Sequence, residues 1–141
     1  MLTFQHYGWE KNMEWLYSHG ERRQNPRFPV RLPLDYSETP GVLRGALVAD
    51  ISEVGLRILS VNPIQIGAEL KFRVYVSKEE FSFDSIEGSG KIIWRTLHQE
   101  TEWKGFQYGL YVTEMASDDR ERLGQLLKFK QEGDPSFTRR G

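Results

Sequence analysis

The stretch FPVRLPLDY at positions 28–36 carries an apolar side chain at every second residue. Phe28, Val30, Leu32, Leu34 and Tyr36 share one face. A period of two is typical of a β-strand with one buried and one solvated face. Pro29 and Pro33 fall on the other parity, and proline has no backbone N–H to donate to a neighbouring strand. We therefore expect this strand to lie at a sheet edge or to meet its neighbour near a strand end.

Further apolar runs downstream complete a pattern of six short strands. Strands are predicted at 28–36, 42–49, 56–59, 70–76, 86–97 and 106–112, separated by turn chemistry such as SETPG at 37–41. Gly88 and Gly90 indicate a bulge in the long fifth strand. No helical period intervenes between strands, which disfavours parallel α/β folds. The pattern predicts a mainly β fold, a six-stranded antiparallel Greek-key β-barrel or a sandwich.

The period changes after Met115 and indicates a C-terminal helix. Leu123, Leu126 and Leu127 recur at spacings of three and four, and Ser117 or Asp118 is placed to cap the first turn. A weaker helical pattern near the N-terminus joins Met13, Leu16 and Tyr17 on one face. We expect the C-terminal helix to plug or flank the barrel.

Composition narrows the function before any motif is considered. The 141 residues amount to one domain, and 19 Lys+Arg against 20 Asp+Glu leave a net charge of -1, too little for a field that holds DNA or anionic lipid. Cysteine is absent, which excludes disulfides and thiolate chemistry. No signal-peptide pattern and no long apolar run occur. We expect a soluble, cytoplasmic protein without membrane insertion.

Catalytic motifs are not found in the sequence. The three histidines are scattered, and none stands in a spacing such as H-E-x-x-H that places two metal ligands together. There is no G-x-S-x-G elbow and no glycine-rich phosphate loop after a strand. We therefore expect no metal site, no cofactor and no enzymatic activity.

Four arginines and no acid occupy positions 22–31: Arg22, Arg23, Arg27 and Arg31. Such a run is commonly a solvated basic segment. Arginine also presents a planar fork of donors, which binds phosphate oxygens in pairs or stacks on a base while pairing with its acceptor edge. The segment is thus a candidate anion site at the start of the first strand.

The hexapeptide DISEVG at 50–55 joins two apolar runs. One interpretation is a hairpin turn in which Asp50 and Ser52 accept hydrogen bonds from nearby amides and Gly55 takes a positive φ. The other is a binding site in which Asp50 accepts from the donor edge of a purine and Ser52 adds a small donor or acceptor. Guanine offers both this donor edge and an acceptor edge suited to arginine.

Arg23–Arg27 (R-x-x-x-R) and Asp50–Gly55 (D-x-S-x-x-G), in this order and spacing, resemble the two signatures of the PilZ domain family, the bacterial receptor module for cyclic di-GMP. Flanking features are similar as well: ERR at 21–23, LRI at 56–58, Trp94 in a later strand and YGL at 108–110. The resemblance covers about Gly20 to Phe129. It implies a six-stranded antiparallel barrel with a C-terminal helix, and cyclic di-GMP as the ligand.

The resemblance also implies a role for each site residue. Arg23 and Arg27 would grip phosphate and the guanine acceptor edge, and Asp50 would hold the donor edge. Ser52 would adjoin the base, and Gly55 would permit close backbone approach. Arg22 is a third clamp, and in similar proteins an arginine there accompanies two stacked nucleotides. Arg57 faces either the site or the solvent. On binding, the arginine segment is expected to fold over the barrel.

The expected organisation is an N-terminal extension at 1–19, a PilZ-like domain at 20–130 and a flexible tail at 131–141. The signal is expected to pass to an unidentified downstream protein, and a homodimer stays open. One alternative is a protein-interaction adaptor that keeps the fold without depending on nucleotide. Another is a barrel that binds single-stranded nucleic acid through arginines, Trp94 and Trp103. The net charge of -1 disfavours a DNA or RNA partner.

Overall fold

A computed structural model describes residues 26–99 and 104–133. Its elements in chain order are β1 (Phe28–Ser37), β2 (Arg44–Ile51), β3 (Gly55–Ser60), β4 (Glu69–Tyr75), β5 (Ser85–Gln99), β6 (Lys104–Glu114) and α1 (Ser117–Gly133). All neighbouring strands are antiparallel, and the order β1-β2-β3-β6-β5-β4 closes through β4 and β1 into a barrel. The six predicted strands and the C-terminal helix are confirmed, and the sandwich alternative is excluded.

The two ends of the chain extend beyond the described residues. The helical pattern of Met13, Leu16 and Tyr17 lies outside the described residues, as does the segment 134–141. The C-terminal helix α1 runs through Gly133, so the first residues of the expected tail are helical.

Both prolines of β1 lie where the strand has one partner. Pro29 pairs with Asp50 and Pro33 with Leu47 on β2, whereas β4 joins β1 only from Leu34 onward. A missing N–H is tolerated on the side that carries no neighbour. The prolines thus mark a one-sided strand segment within a closed barrel rather than a free edge strand.

The barrel interior is filled by apolar side chains that point inward from every strand. Leu34, Val48, Ile58, Ile92 and Leu110 are among the side chains of one continuous buried cluster. The helix α1 adds Leu123 and Leu126 to this cluster, as its sequence period predicted. Asp119 fastens the helix to the barrel, because its Oδ1 accepts a hydrogen bond of 2.9 Å from the backbone N–H of Glu87 in β5.

The helix α1 is neither long enough nor apolar enough to cross a bilayer, and no other helix among the described residues is a candidate for doing so.

The long strand β5 bends through two irregularities. Its register against β6 shifts between Ser89 and Gly90 and again between Ile92 and Trp94, which confirms a bulge near the two predicted glycines. A Cβ at Gly90 would lie only 2.6 Å from Leu110 Cδ2, so the strands meet too closely there for a side chain. The second shift inserts one extra residue and therefore moves Trp94 to the face opposite that of Ile92.

Tyr108 in β6 holds the loop between β3 and β4 through two hydrogen bonds of its hydroxyl. Its hydroxyl accepts from the N–H of Ile64 at 2.7 Å and donates to the carbonyl of Asn62 at 2.8 Å. The Tyr108 side chain is fully buried, and burial raises the pKa of its hydroxyl. One phenol thereby satisfies two backbone groups of this loop, whose later residues Gly67 and Ala68 hydrogen-bond to Ile92 of β5.

Tyr108→Phe is expected to lower the free energy of unfolding by about 1–3 kcal/mol, because both loop groups lose their partner. Urea denaturation measures the change, and Tyr111→Phe, an exposed tyrosine of the same strand, is the matched control. Because the Tyr108 pKa is higher in the folded chain than in the unfolded one, its contribution to stability is full below about pH 10 and falls as pH rises further. Equal stability of the two variants would contradict this role.

Candidate functional site

Four residues form a row on the outside of the barrel, one on each of four adjacent strands. Asp50 of β2 pairs with Arg57 of β3, Arg57 with Gly109 of β6, and Gly109 with Trp94 of β5. Residues on either side of Gly109 point inward, so the row faces outward. We call these four residues the outer row.

Asp50 has one oxygen in use and one without a partner. Its Oδ2 accepts a hydrogen bond and ion pair of 2.7 Å from Arg57 Nε. Its Oδ1 is buried and accepts no hydrogen bond from the residues that the structure describes. Asp50 as a whole is 8% exposed. A buried carboxylate oxygen without a donor is unfavourable by about 1–3 kcal/mol or more, which makes Oδ1 a strong acceptor for a ligand N–H.

Arg57 binds Asp50 and continues a chain of hydrogen bonds across the barrel surface. While Nε binds Asp50, Nη1 donates to Gln107 Oε1 at 2.9 Å. The amide Nε2 of Gln107 in turn lies 3.0 Å from His98 Nδ1. The sequence left open whether Arg57 faces the site or the solvent; in the structure its side chain is one-third exposed and its guanidinium turns toward Asp50. We call Asp50, Arg57, Gln107 and His98 the polar chain.

Ser52 builds the turn that follows Asp50. Its Oγ accepts from the backbone N–H of Val54 at 3.2 Å and of Gly55 at 3.1 Å, and its own N–H donates to the Gly55 carbonyl at 2.9 Å. Ser52 is 0% exposed, so its hydroxyl serves the turn in this state of the chain. The Val54 carbonyl accepts from the N–H of Val112, which fastens the turn to β6.

Gly55 does not take the positive φ that the turn interpretation predicted, and that prediction is wrong. Among the described glycines only Gly41 and Gly67 have a positive φ. Gly55 is instead the buried first residue of β3, opposite Tyr111. The Ser52 hydroxyl closes the turn, which removes the need for a left-handed residue there. The turn predicted at 37–41 is present between β1 and β2, and Gly41 within it has a φ of 88°.

The arginine segment meets the D-x-S-x-x-G turn through the pairing of β1 with β2. Phe28 pairs with Ile51 and Pro29 with Asp50, so Arg27 immediately precedes the residues beside the turn. Arg27 is half-buried, whereas Arg31 is exposed farther along β1. Arg22 and Arg23 lie outside the described residues. Of the three predicted arginine ligands, Arg27 is the one that the pairing of β1 with β2 places beside the turn that contains Ser52.

Trp94 is buried but does not belong to the core. It is 7% exposed, yet it is not a member of the barrel cluster that contains Ile92. Its indole lies over Gly109, where an added Cβ would fall 2.1 Å from Trp94 Nε1. The indole N–H is buried and has no hydrogen-bond acceptor among the described residues. The outer row thus holds a donor without a partner as well as an acceptor without one.

Gly109→Ala is expected to displace the Trp94 indole and to destabilise the fold by about 1–3 kcal/mol, as overpacking does at a close contact. Gly45→Ala is the matched control, because that strand glycine has nothing within 4 Å of an added Cβ. Urea denaturation measures stability, and the Nε1–H resonance of Trp94, assigned by its loss in Trp94→Phe, reports the displacement. An unmoved resonance in Gly109→Ala would contradict the contact.

Sequence reasoning missed Gly109, Gln107 and His98 as parts of this surface. A glycine inside an alternating strand is a signal of close approach by another group, so Gly109 was detectable in principle. The hydrogen bond between Gln107 and His98 joins different strands, and their sequence carries no pattern that singles them out.

Apart from the outer row, a shallow depression lies on the side of the barrel formed by β1 and β4. It has a volume of about 180 Å³, and its lining includes Asp35, Leu43, Arg73, Tyr75 and Glu87. Three of its charged side chains have partners within the lining: Tyr75 donates to Asp35 Oδ2 at 2.7 Å, and Arg73 pairs with Glu87 at 2.7 Å. The hydrogen bond to Asp35 raises the pKa of Tyr75. Among the described residues, the lining of this depression holds no buried polar side-chain atom without a partner, unlike the outer row.

Metal ligands are not gathered anywhere in the described ranges 26–99 and 104–133, where no three His, Asp or Glu side chains form a group that could hold an ion.

Comparison with solved structures shows the same fold in bacterial proteins. The inhibitor of motility MotI (DgrA) of Bacillus subtilis matches with a TM-score of 0.63 and 20% identity over 80% of this chain and 52% of its own. The PilZ domain of YcgR from Escherichia coli, solved with c-di-GMP, matches with a TM-score of 0.64 and 10% identity over 79% of this chain and 93% of its own.

A third structure, the complex of K. pneumonia MrkH with c-di-GMP, has a TM-score of 0.64 and 18% identity over 79% of this chain and 53% of its own. The chain thus spans about half the length of MotI and MrkH. No curated protein matches the sequence. The family model of the PilZ domain matches residues 21–129, which include both motifs and every strand of the barrel. The chain therefore belongs to the PilZ domain family.

Proposed function

We propose that this protein is a cyclic di-GMP receptor that changes conformation on binding and signals to a partner protein. The observation that carries the proposal is the state of Asp50: one oxygen is held by Arg57, and the other is buried without a donor. Guanine supplies N–H donors on the edge that a carboxylate recognises. MrkH and the PilZ domain of YcgR, which share this fold, were solved with c-di-GMP.

The remaining ligand groups suit the surroundings of Asp50. Arg27 stands where β1 begins, beside the turn, and its guanidinium fork suits a phosphate or the guanine acceptor edge. By the family resemblance, Arg22 and Arg23 extend this clamp. Trp94, in the same outer row, adds a buried indole N–H that has no acceptor among the described residues.

Ser52 and Gly55 act in this proposal by shaping the turn. The buried hydroxyl of Ser52 holds the Val54 and Gly55 amides, which sets the direction in which β2 ends and Asp50 points. Ser52 then affects binding through the position of the loop, and a direct contact with the base requires that the turn reopen.

Binding couples the two motifs because the ligand must contact both. Ordering a backbone residue costs about 1–2 kcal/mol, so a ligand that touches only the arginines gains too little to draw the segment against the barrel. A ligand held by Asp50 and by the arginines gains enough. The closed segment, together with the extension at 1–19, then forms the surface that we expect a partner protein to recognise.

Isothermal titration with cyclic di-GMP, GMP, GTP and cyclic di-AMP tests the proposal. We expect preference for cyclic di-GMP, because only this ligand joins two guanines to two phosphates in one ring. A ratio near two nucleotides per chain would implicate Arg22 in a stacked pair. A flat titration with all four ligands would refute the receptor and favour the nucleotide-independent adaptor. Preference for oligonucleotides, steeply reduced by salt, would favour single-strand binding instead.

A further inference from the structure

Gln107 lies beside the outer row without belonging to it. It is two residues before Gly109 on β6, and it reaches diagonally to Arg57, whose own partner in the register is Gly109. The contact is partly buried and 2.9 Å long. Neither PilZ signature includes this position, and the proposed ligand contacts do not use it.

The Arg57 guanidinium is held at two points. Nε binds Asp50 Oδ2 at 2.7 Å, and Nη1 binds Gln107 Oε1 at 2.9 Å. A planar fork fixed by two of its nitrogens loses its freedom to rotate about the side-chain axis. Gln107 is thus placed to restrict which edge of the Arg57 guanidinium meets Asp50.

The orientation of the Gln107 amide follows from donor and acceptor chemistry. A guanidinium only donates, so the amide oxygen faces Arg57 and the amide nitrogen faces His98. The His98 Nδ1 at 3.0 Å then acts as the acceptor. A flipped amide would set donor against donor at Arg57, so the contact with Arg57 fixes the amide orientation and leaves His98 Nδ1 as the acceptor of the amide N–H.

We propose that Gln107 is a positioning residue of the ligand site: it holds Arg57 so that Asp50 Oδ2 is bound and Asp50 Oδ1 stays available to a ligand donor. This inference rests on the proposed function, since the ligand is the one proposed above. It goes beyond that function, because it assigns a role to a residue that touches neither the ligand nor Asp50.

The first test needs no ligand. The Arg57 Nε–H resonance, assigned by its loss in Arg57→Lys, reports whether this hydrogen is held by Asp50. In Gln107→Met, which keeps the shape and removes the polar groups, we expect its solvent exchange to accelerate by about threefold or more. Gln107→Glu keeps an acceptor for Arg57 and is expected to preserve the slow exchange. Gln65→Met, an exposed glutamine in the β3–β4 loop, is the control.

The second test is a double-mutant cycle with cyclic di-GMP. Gln107→Met is expected to weaken binding by about three- to tenfold, less than the loss of a whole hydrogen bond to a charged group, because Gln107 affects the ligand only through Arg57. In an Arg57→Ala background the same substitution is expected to change affinity by less than about twofold, because a residue that acts through Arg57 has nothing left to act on. Thermal unfolding of each variant separates this effect from a general loss of stability.

The outcomes distinguish this inference from the proposed function. If the wild-type chain does not bind cyclic di-GMP, the proposed function fails, while the Arg57 resonance still decides whether Gln107 holds the guanidinium. If the wild-type chain binds and Gln107→Met weakens binding equally with and without Arg57, the positioning role is wrong. Unchanged Arg57 exchange in Gln107→Met, or tighter binding by that variant, would overturn it as well.

Discussion

We expect Asp50→Asn, which changes the volume of the side chain little, to reduce the affinity for cyclic di-GMP by about two orders of magnitude. The Arg57 Nε–H requires an acceptor, so the amide oxygen of asparagine takes the place of Oδ2. The amide nitrogen then replaces Oδ1 and presents a donor to the donor edge of guanine. Loss of one charge-assisted bond weakens binding by about 1.5–3 kcal/mol, and the opposed donors add to this.

Asp35→Asn is the matched control for this substitution. Asp35 also accepts one hydrogen bond, from Tyr75, but it lies on the other side of the barrel. Its affinity for cyclic di-GMP should equal that of the wild type within about twofold. Titration calorimetry on the three proteins measures the difference. An Asp50→Asn affinity within about threefold of the wild type would show that the unpartnered oxygen is not a ligand acceptor.

Arg27→Ala is expected to weaken cyclic di-GMP binding by about one to two orders of magnitude, since it removes a charge-assisted bond to phosphate or to the base. Arg27→Lys keeps the charge but not the fork of donors, and its affinity should fall between those of the alanine variant and the wild type. Arg31→Ala is the control, because this exposed arginine lies in β1, four residues after Arg27, and supplies only a screened charge.

The dependence of cyclic di-GMP affinity on ionic strength distinguishes a specific contact of Arg27 from a diffuse basic patch. If Arg27→Ala and Arg31→Ala weaken binding equally, and added salt abolishes the effect of both, the segment acts as a diffuse basic patch. A large effect of Arg27→Ala that persists in salt, with a small effect of Arg31→Ala, is the result that the receptor requires.

The architecture was predictable because burial alternates along β1 and β4. In β4 every second side chain is buried, and in β1 the same holds except at Leu32, which is half-buried. Period two is the pattern that a barrel with one solvated face imposes. The helix was predictable in the same way from a helical period, because Leu123 and Leu126 recur on its buried face. Barrel closure was not predictable from alternation alone, because a sandwich imposes the same period. It depends on the long-range pairing of β1 with β4.

The outer row was only partly predictable, because two register shifts create it. One shift between Val48 and Asp50 sets Asp50 opposite Arg57, where regular pairing would have set it opposite Leu56. Another shift between Ile92 and Trp94 turns the tryptophan outward onto Gly109. A slip of one residue exchanges the two faces of a strand, and a period-two pattern does not record where it occurs. The motif residues Asp50 and Ser52 were found, but their partners were not.

Closure of the barrel has a consequence for how any partner recognises this domain. The strand order returns to β1, so main-chain groups without a strand neighbour are confined to one-sided segments such as the first half of β1, where Pro29 and Pro33 supply no N–H donor. A visiting peptide therefore finds little free main chain along which to extend the sheet. We expect a partner to recognise the strands mainly through outward side chains and loops, and systematic charge reversal over those positions should locate the contact without unfolding the scaffold. The same closure limits pairing of the strands with other copies into fibrils.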